Sequence, residues 1–80
     1  MGKRNKHREV RERKRLAYNL RRLMNKARVT QMQLSIEVET SPGAVCRWCH
    51  GESVPYSTTL KRIAQALGCT TDELLEGVWE

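Results

Sequence analysis

Residues 30–51 read TQMQLSIEVETSPGAVCRWCHG, and they place two helix starts and one helix stop close together. Thr30 with Gln33 three residues on is the pattern of a capping box, in which hydroxyl and amide each satisfy a backbone N–H of the first turn. Leu34 and Val38, four apart, supply the buried stripe of the helix that follows. Ser41-Pro42 is a second start: an N-cap residue, then proline at the first helical position, where a missing N–H costs nothing. Val45 and Trp48 face inward from this second helix, which runs to about His50, and Gly51 stops it. Only about Glu39 to Ser41 remain for the turn between the two.

Upstream, Leu16, Leu20, Leu23 and Met24 recur at helical spacing, which predicts a first helix from Glu9 to about Lys26. Downstream, Val54-Pro55 is a loop. Ser57 or Thr58 caps a fourth helix with the stripe Leu60, Ile63, Ala64, Leu67, and Gly68 ends it. Thr70 with Glu73 is another capping box, opening a fifth helix that carries Leu74 and Leu75. No run alternates apolar and polar residues, so no strands are expected. The reading is an all-α fold of five short helices around one core, in a chain of 80 residues. Residues 1–8, which hold no core-forming residue, read as a basic flexible arm, and residues 9–80 as the domain.

Fifteen Lys and Arg against nine Asp and Glu give a net charge of +6, and the excess is unevenly placed. Residues 1–28 carry a net +10, and residues 29–80 a net −4. A basic segment on a mildly acidic body points to a polyanionic partner. A chain this short has little room for both a core and a deep substrate pocket, which disfavours catalysis and a small-molecule substrate. No stretch is apolar enough to span a bilayer, and the charged N-terminus lacks the apolar segment of a secretory signal. A cytoplasmic protein is expected. Three cysteines do not form a disulfide framework in that setting.

Two short helices joined by a tight turn have the shape of a helix-turn-helix, whose second helix enters the major groove while the first crosses the backbone. Residues 16–75 also resemble the phage-repressor, Cro-like (XRE) family of helix-turn-helix domains. The matching residues are Leu20, Leu23, Thr30-Gln31, Leu34, Ser41, Val45, Trp48, Gly51, Pro55, Leu60, Ile63-Ala64, Ala66-Leu67-Gly68 and Asp72-Glu73-Leu74-Leu75. The resemblance implies a compact lambda-repressor-like domain that binds double-stranded DNA, as a small repressor-type regulator. It implies that Gln31 touches the DNA backbone and braces the third helix, and that Ser41, Pro42, Gly43 and Arg47 face base edges. His50 and Ser53 complete the expected contact set, and Lys3, Arg4, Lys6 and Arg8 of the arm are assigned to phosphates. Helical geometry agrees for two of these, since Gly43 and Arg47 lie opposite Val45. Arg47 can bond guanine O6 and N7 together. The chain departs from the family pattern at Pro42-Gly43, whose side chains cannot bond a base, at Glu39, where Gly is common in the turn, and at Cys49, where a structural Glu is common.

Cys46-Arg47-Trp48-Cys49-His50 spells C-x-x-C-H, the pattern of covalent haem attachment. The segment coincides with the helix assigned to DNA, and the small core cannot spare a haem pocket. Cys46, Cys49 and His50, with Cys69 or His7, could also be read as zinc ligands, but there is no second C-x-x-C pair. Neither haem nor zinc is expected, and no cofactor. Met32 and Ile36 form a second small stripe that packs under the first helix or marks a partner surface. Val78 and Trp79 either fold back on the core or form a weak homodimer contact. The alternative to a DNA-binding regulator is a protein-interaction module that keeps the fold with weak base readout.

Overall fold

The computed structural model describes residues 6–78 and contains five α-helices, α1 (Lys6–Ala27), α2 (Gln31–Glu37), α3 (Pro42–Cys49), α4 (Ser57–Leu67) and α5 (Thr71–Leu74). No strand occurs among the described residues. Helix α1 begins at Lys6, before the expected Glu9, so Lys6, His7 and Arg8 belong to a helix and not to an arm. Residues 1–5 lie outside the described residues.

Local chemistry fixes most helix starts. Thr30 Oγ1 accepts from Gln33 N–H at 3.1 Å while Gln33 Oε1 accepts from Thr30 N–H at 2.9 Å, the reciprocal box that the spacing predicts. Thr70 and Glu73 repeat it at the start of α5. Ser41 Oγ accepts from Ala44 N–H at 3.1 Å, with Pro42 at the first helical position of α3. Helix α4 differs from expectation. Ser57 is already its first helical residue, and the cap position falls on extended Tyr56, which makes no side-chain capping bond.

Four helices stop by one device. A residue in the left-handed conformation lets the next N–H reach back five residues. Val29 N–H bonds Met24 O, Thr40 bonds Ser35 O, Glu52 bonds Arg47 O and Cys69 bonds Ala64 O, at 2.9–3.0 Å. The turning residues are Arg28, Glu39, Gly51 and Gly68. Only the two glycines are at ease there. Arg28 (φ 59°) and Glu39 (φ 55°) crowd Cβ against the backbone.

The core is the set that the stripes mark out. Leu16, Leu20, Leu23 and Met24 of α1 meet Leu34 and Val38, Val45 and Trp48, Leu60, Ile63, Ala64 and Leu67, and Leu74. Helix α1 packs against α3, α4 and α5, while α2 lies against α3 and α4. Val78 is 6% exposed and belongs to the same core. It is therefore not available as a homodimer contact: the chain turns back after α5 and buries it. Trp79 lies outside the described residues. One buried polar side chain holds that return. Asn19 is fully buried, and its Nδ2 donates to Leu74 O and Glu76 O, both at 2.8 Å.

Two expected outcomes follow from these contacts. Asn19→Leu leaves two carbonyls without their donor and lowers stability by about 1–3 kcal/mol, whereas Asn25→Ala, on the exposed face of the same helix, stays within about 0.5 kcal/mol. Glu39→Gly relieves the left-handed strain and, after the added flexibility of the unfolded chain, raises stability by about 0.5–1 kcal/mol. Urea denaturation midpoints measure both. Equal effects at Asn19 and Asn25, or a loss at Glu39, would contradict the respective account.

Candidate nucleic-acid interface

Helix α3 is held at one end and open at the other. At its C-terminal end, Arg21 Nη1 of α1 donates to Cys49 O, and Arg13 Nε donates to Gly51 O at 3.2 Å. Cations at the carbonyl end of a helix satisfy orphan acceptors and match its dipole. Gly51 lies against α1, where a Cβ would be 3.4 Å from Lys14 Cα, and its φ of 72° is the left-handed turn that suits glycine. Where the resemblance places a structural glutamate, Cys49 gives Arg21 its backbone oxygen instead. Its side chain turns inward, 3.8 Å from Met24 Sδ.

At the N-terminal end, Ser41, Pro42 and Gly43 are all exposed. Pro42 has no N–H, and Ala44 and Val45 N–H are taken by Ser41. Gly43 N–H is left as the first-turn donor without a partner among the described residues. Ser41 Oγ accepts the capping bond, so its hydroxyl proton can still be donated outward. Arg47 is exposed one turn on, and its Nη1 lies 3.7 Å from where a Gly43 Cβ would be. The guanidinium, the glycine backbone and the serine hydroxyl thus share one face.

His50 caps the far end of that face. Its Nδ1 is 2.7 Å from Cys46 O. A carbonyl can only accept, so Nδ1 is the donor in this contact. Ser53 is half-buried in the loop after α3. Gln31 is the exposed first residue of α2, but no hydrogen bond joins its side chain to α3 among the described residues. The hydrogen bonds that hold α3 come from the two arginines of α1. Lys3 and Arg4 lie outside the described residues, and Lys6 and Arg8 occupy the first turn of α1.

The C-x-x-C-H segment does not converge. Cys46 Sγ is 3.4 Å from His50 Nδ1 on the surface, while Cys49 is buried. No group of three or more His, Cys, Asp or Glu placed to hold a metal occurs among the described residues. Met32 and Ile36 are 57% and 71% exposed and lie on the outer face of α2, not under α1. No helix among the described residues is long and apolar enough to cross a membrane.

Residues 19–78 match the Cro/C1-type HTH DNA-binding domain. The chain belongs to this family. No curated protein and no solved structure matches it. The Cro/C1-type family is a DNA-binding one and not an enzyme class, in keeping with the all-helical fold and the exposed first turn of α3. The match begins inside α1, so residues 6–18 of that helix precede it.

Two expectations attach to this face. Gly43 has ordinary helical space around it, so Gly43→Ala raises stability by about 0.4–1 kcal/mol. A urea midpoint that falls would show that the backbone needs glycine there. Burial raises the Cys49 thiol above its ordinary value of 9.0, against the pull of Arg21, and burial also raises Cys69. The fold holds the protonated thiols. Their contribution is complete below pH 9 and is lost as the pH rises through the higher folded values. The double variant Cys49→Ala, Cys69→Ala should show a smaller alkaline loss of stability than the parent between pH 9 and 11, read from urea midpoints at each pH. Parallel curves would refute it.

Proposed function

We propose that this Cro/C1-type domain is a sequence-specific double-stranded DNA-binding regulator of transcription, of the repressor type. The observation that carries the reading is the open first turn of α3, with the free Gly43 N–H, the Ser41 hydroxyl and the Arg47 guanidinium on one face. A helix N-terminus with unpaired N–H groups attracts phosphate. Glycine at position 43 lets the backbone come close to the strand.

In this reading α3 enters the major groove with its N-terminus toward the DNA. Gly43 N–H and Ser41 bond backbone oxygens and set the register, as Gln31 does from the start of α2. Pro42 lies against the groove wall without a polar contact. Arg47 reads a guanine through O6 and N7. His50 and Ser53 follow the same strand, and Lys3, Arg4, Lys6 and Arg8 add sequence-independent phosphate contacts. The reading needs no cofactor, metal or small-molecule substrate.

A second reading is favoured by one feature, the exposed Met32 and Ile36 on α2. Apolar side chains on the outer face suit a protein partner, and such a module would keep the fold without strong base readout.

Selection of duplexes from a random pool separates the two. The DNA reading expects an enriched site containing guanine, and Arg47→Ala costs about 1–3 kcal/mol on that site with a smaller loss on a scrambled one. A pool that never enriches, or equal losses on both DNAs, would remove Arg47 from base readout.

A further inference from the structure

Between Glu12 and Glu37 the chain contains no acidic residue, but it contains Arg13, Lys14, Arg15, Arg21, Arg22, Lys26 and Arg28. Most of this segment is α1. Arg11, Arg15, Tyr18, Arg22 and Lys26 follow one another at spacings of three or four, and Lys14, Tyr18, Arg21 and Asn25 do the same one step around the helix. All of these residues are exposed. The outer face of α1 is thus a cationic stripe broken only by neutral Tyr18 and Asn25. Arg15 and Arg21 are tied to the carbonyls of Glu76 and Cys49. Arg11, Lys14, Arg22 and Lys26 have no polar partner among the described residues.

The position of the stripe matters as much as its charge. Lys14 borders Gly51, and Arg21 grips Cys49 O, so the stripe starts beside the C-terminal end of α3, next to exposed His50. The groove face of α3 is itself poor in charge: Arg47 is its one Lys or Arg, and the loop beyond carries acidic Glu52. A duplex seated on α3 alone would find little positive charge. Helix α1 has 22 residues, about 33 Å at 1.5 Å per residue, which is close to one helical turn of duplex DNA.

We infer that the outer face of α1, through Arg11, Lys14 and Arg22, is a second phosphate-binding surface for the duplex held by α3. It grips the backbone beyond the C-terminal end of α3. The inference rests on α3 as the groove helix and adds a surface that lies partly before residue 19, where the family match begins. It assigns most of the affinity to α1 and the choice of sequence to α3.

The test compares Arg11→Gln, Lys14→Gln, Arg22→Gln as one triple variant with Lys61→Gln, Arg62→Gln on exposed positions of α4 and with Arg47→Ala. Each is titrated with the enriched duplex and a scrambled one across a salt series, with duplex-to-protein stoichiometry and hydroxyl-radical footprints. Circular dichroism checks that the variants fold, as expected for exposed Gln in a helix. The triple variant should lose binding to both duplexes equally, about 100-fold or more at 0.1 M salt, with a salt slope shallower by about two to three units. Its footprint should shorten on one side of the site, and the α4 variant should keep the parent slope. An unchanged slope in the triple variant overturns the inference. So does a loss seen only when two duplexes bind per chain, since the stripe then serves a separate polyanion. A parent protein without sequence preference whose steep slope the triple variant abolishes would keep the α1 surface and reject α3 as reader. Retained preference with an unchanged slope would do the reverse.

Discussion

Two arginine-to-carbonyl contacts from α1, Arg21 to Cys49 O and Arg13 to Gly51 O, decide where α3 can point. Helix α3 is eight residues long, and a helix of that length is marginal without its packing. Val45 and Trp48 anchor its inner side but leave its tilt to the ends. The arginines close the carbonyl end against a rigid helix almost three times as long. The N-terminal end is then left as the free one, with Gly43 N–H uncovered. Gly51 supplies the left-handed turn (φ 72°) that ends α3 between these contacts, and a Cβ there would rest against Lys14 of α1 at 3.4 Å, an ordinary contact. Orientation, dipole and the close approach of the two helices are one constraint.

That constraint divides the work of the cations in α1. Arg13, Arg15 and Arg21 hold backbone carbonyls of segments more than twenty residues away, while Arg11, Lys14, Arg22 and Lys26 face solvent. A guanidinium suits the first task because its planar fork reaches a carbonyl and keeps its charge. Reading all twelve basic residues of the first 28 as one patch for a partner therefore overstates what is available.

The helices were legible where a local rule writes them. Thr30-Gln33, Ser41-Pro42 and Thr70-Glu73 carry their own capping chemistry, and the Leu and Ile stripes carry the core. Two stops were less clear, because Arg28 and Glu39 adopt the left-handed turn that a glycine would have announced. The start of α4 was offset because no side chain caps it. At the site, the exposure of Gly43 and Arg47 could be read from helical phase alone. The grips of Arg13, Arg15 and Arg21, and the Asn19 tie to residues 74 and 76, could not. They join positions far apart in sequence, and nothing in the spacing of a basic helix says which of its cations will meet a carbonyl. Val78 was ambiguous for the same reason: its burial depends on the return of the chain that Asn19 holds.

The absence of carboxylates from the outer stripe of α1, which follows Glu9 and Glu12, also gives folding and DNA binding opposite responses to ionic strength. Arg11 and Arg15, and Arg22 and Lys26, are like charges one turn apart, and each such pair weakens the helix by a few tenths of a kcal/mol, approximately. Dissolved salt screens this repulsion and so favours the folded chain. The same salt competes for the phosphates that the stripe would meet. A duplex laid along α1 would supply the missing negative charge itself, so binding would relieve a strain that the free protein carries within its longest helix.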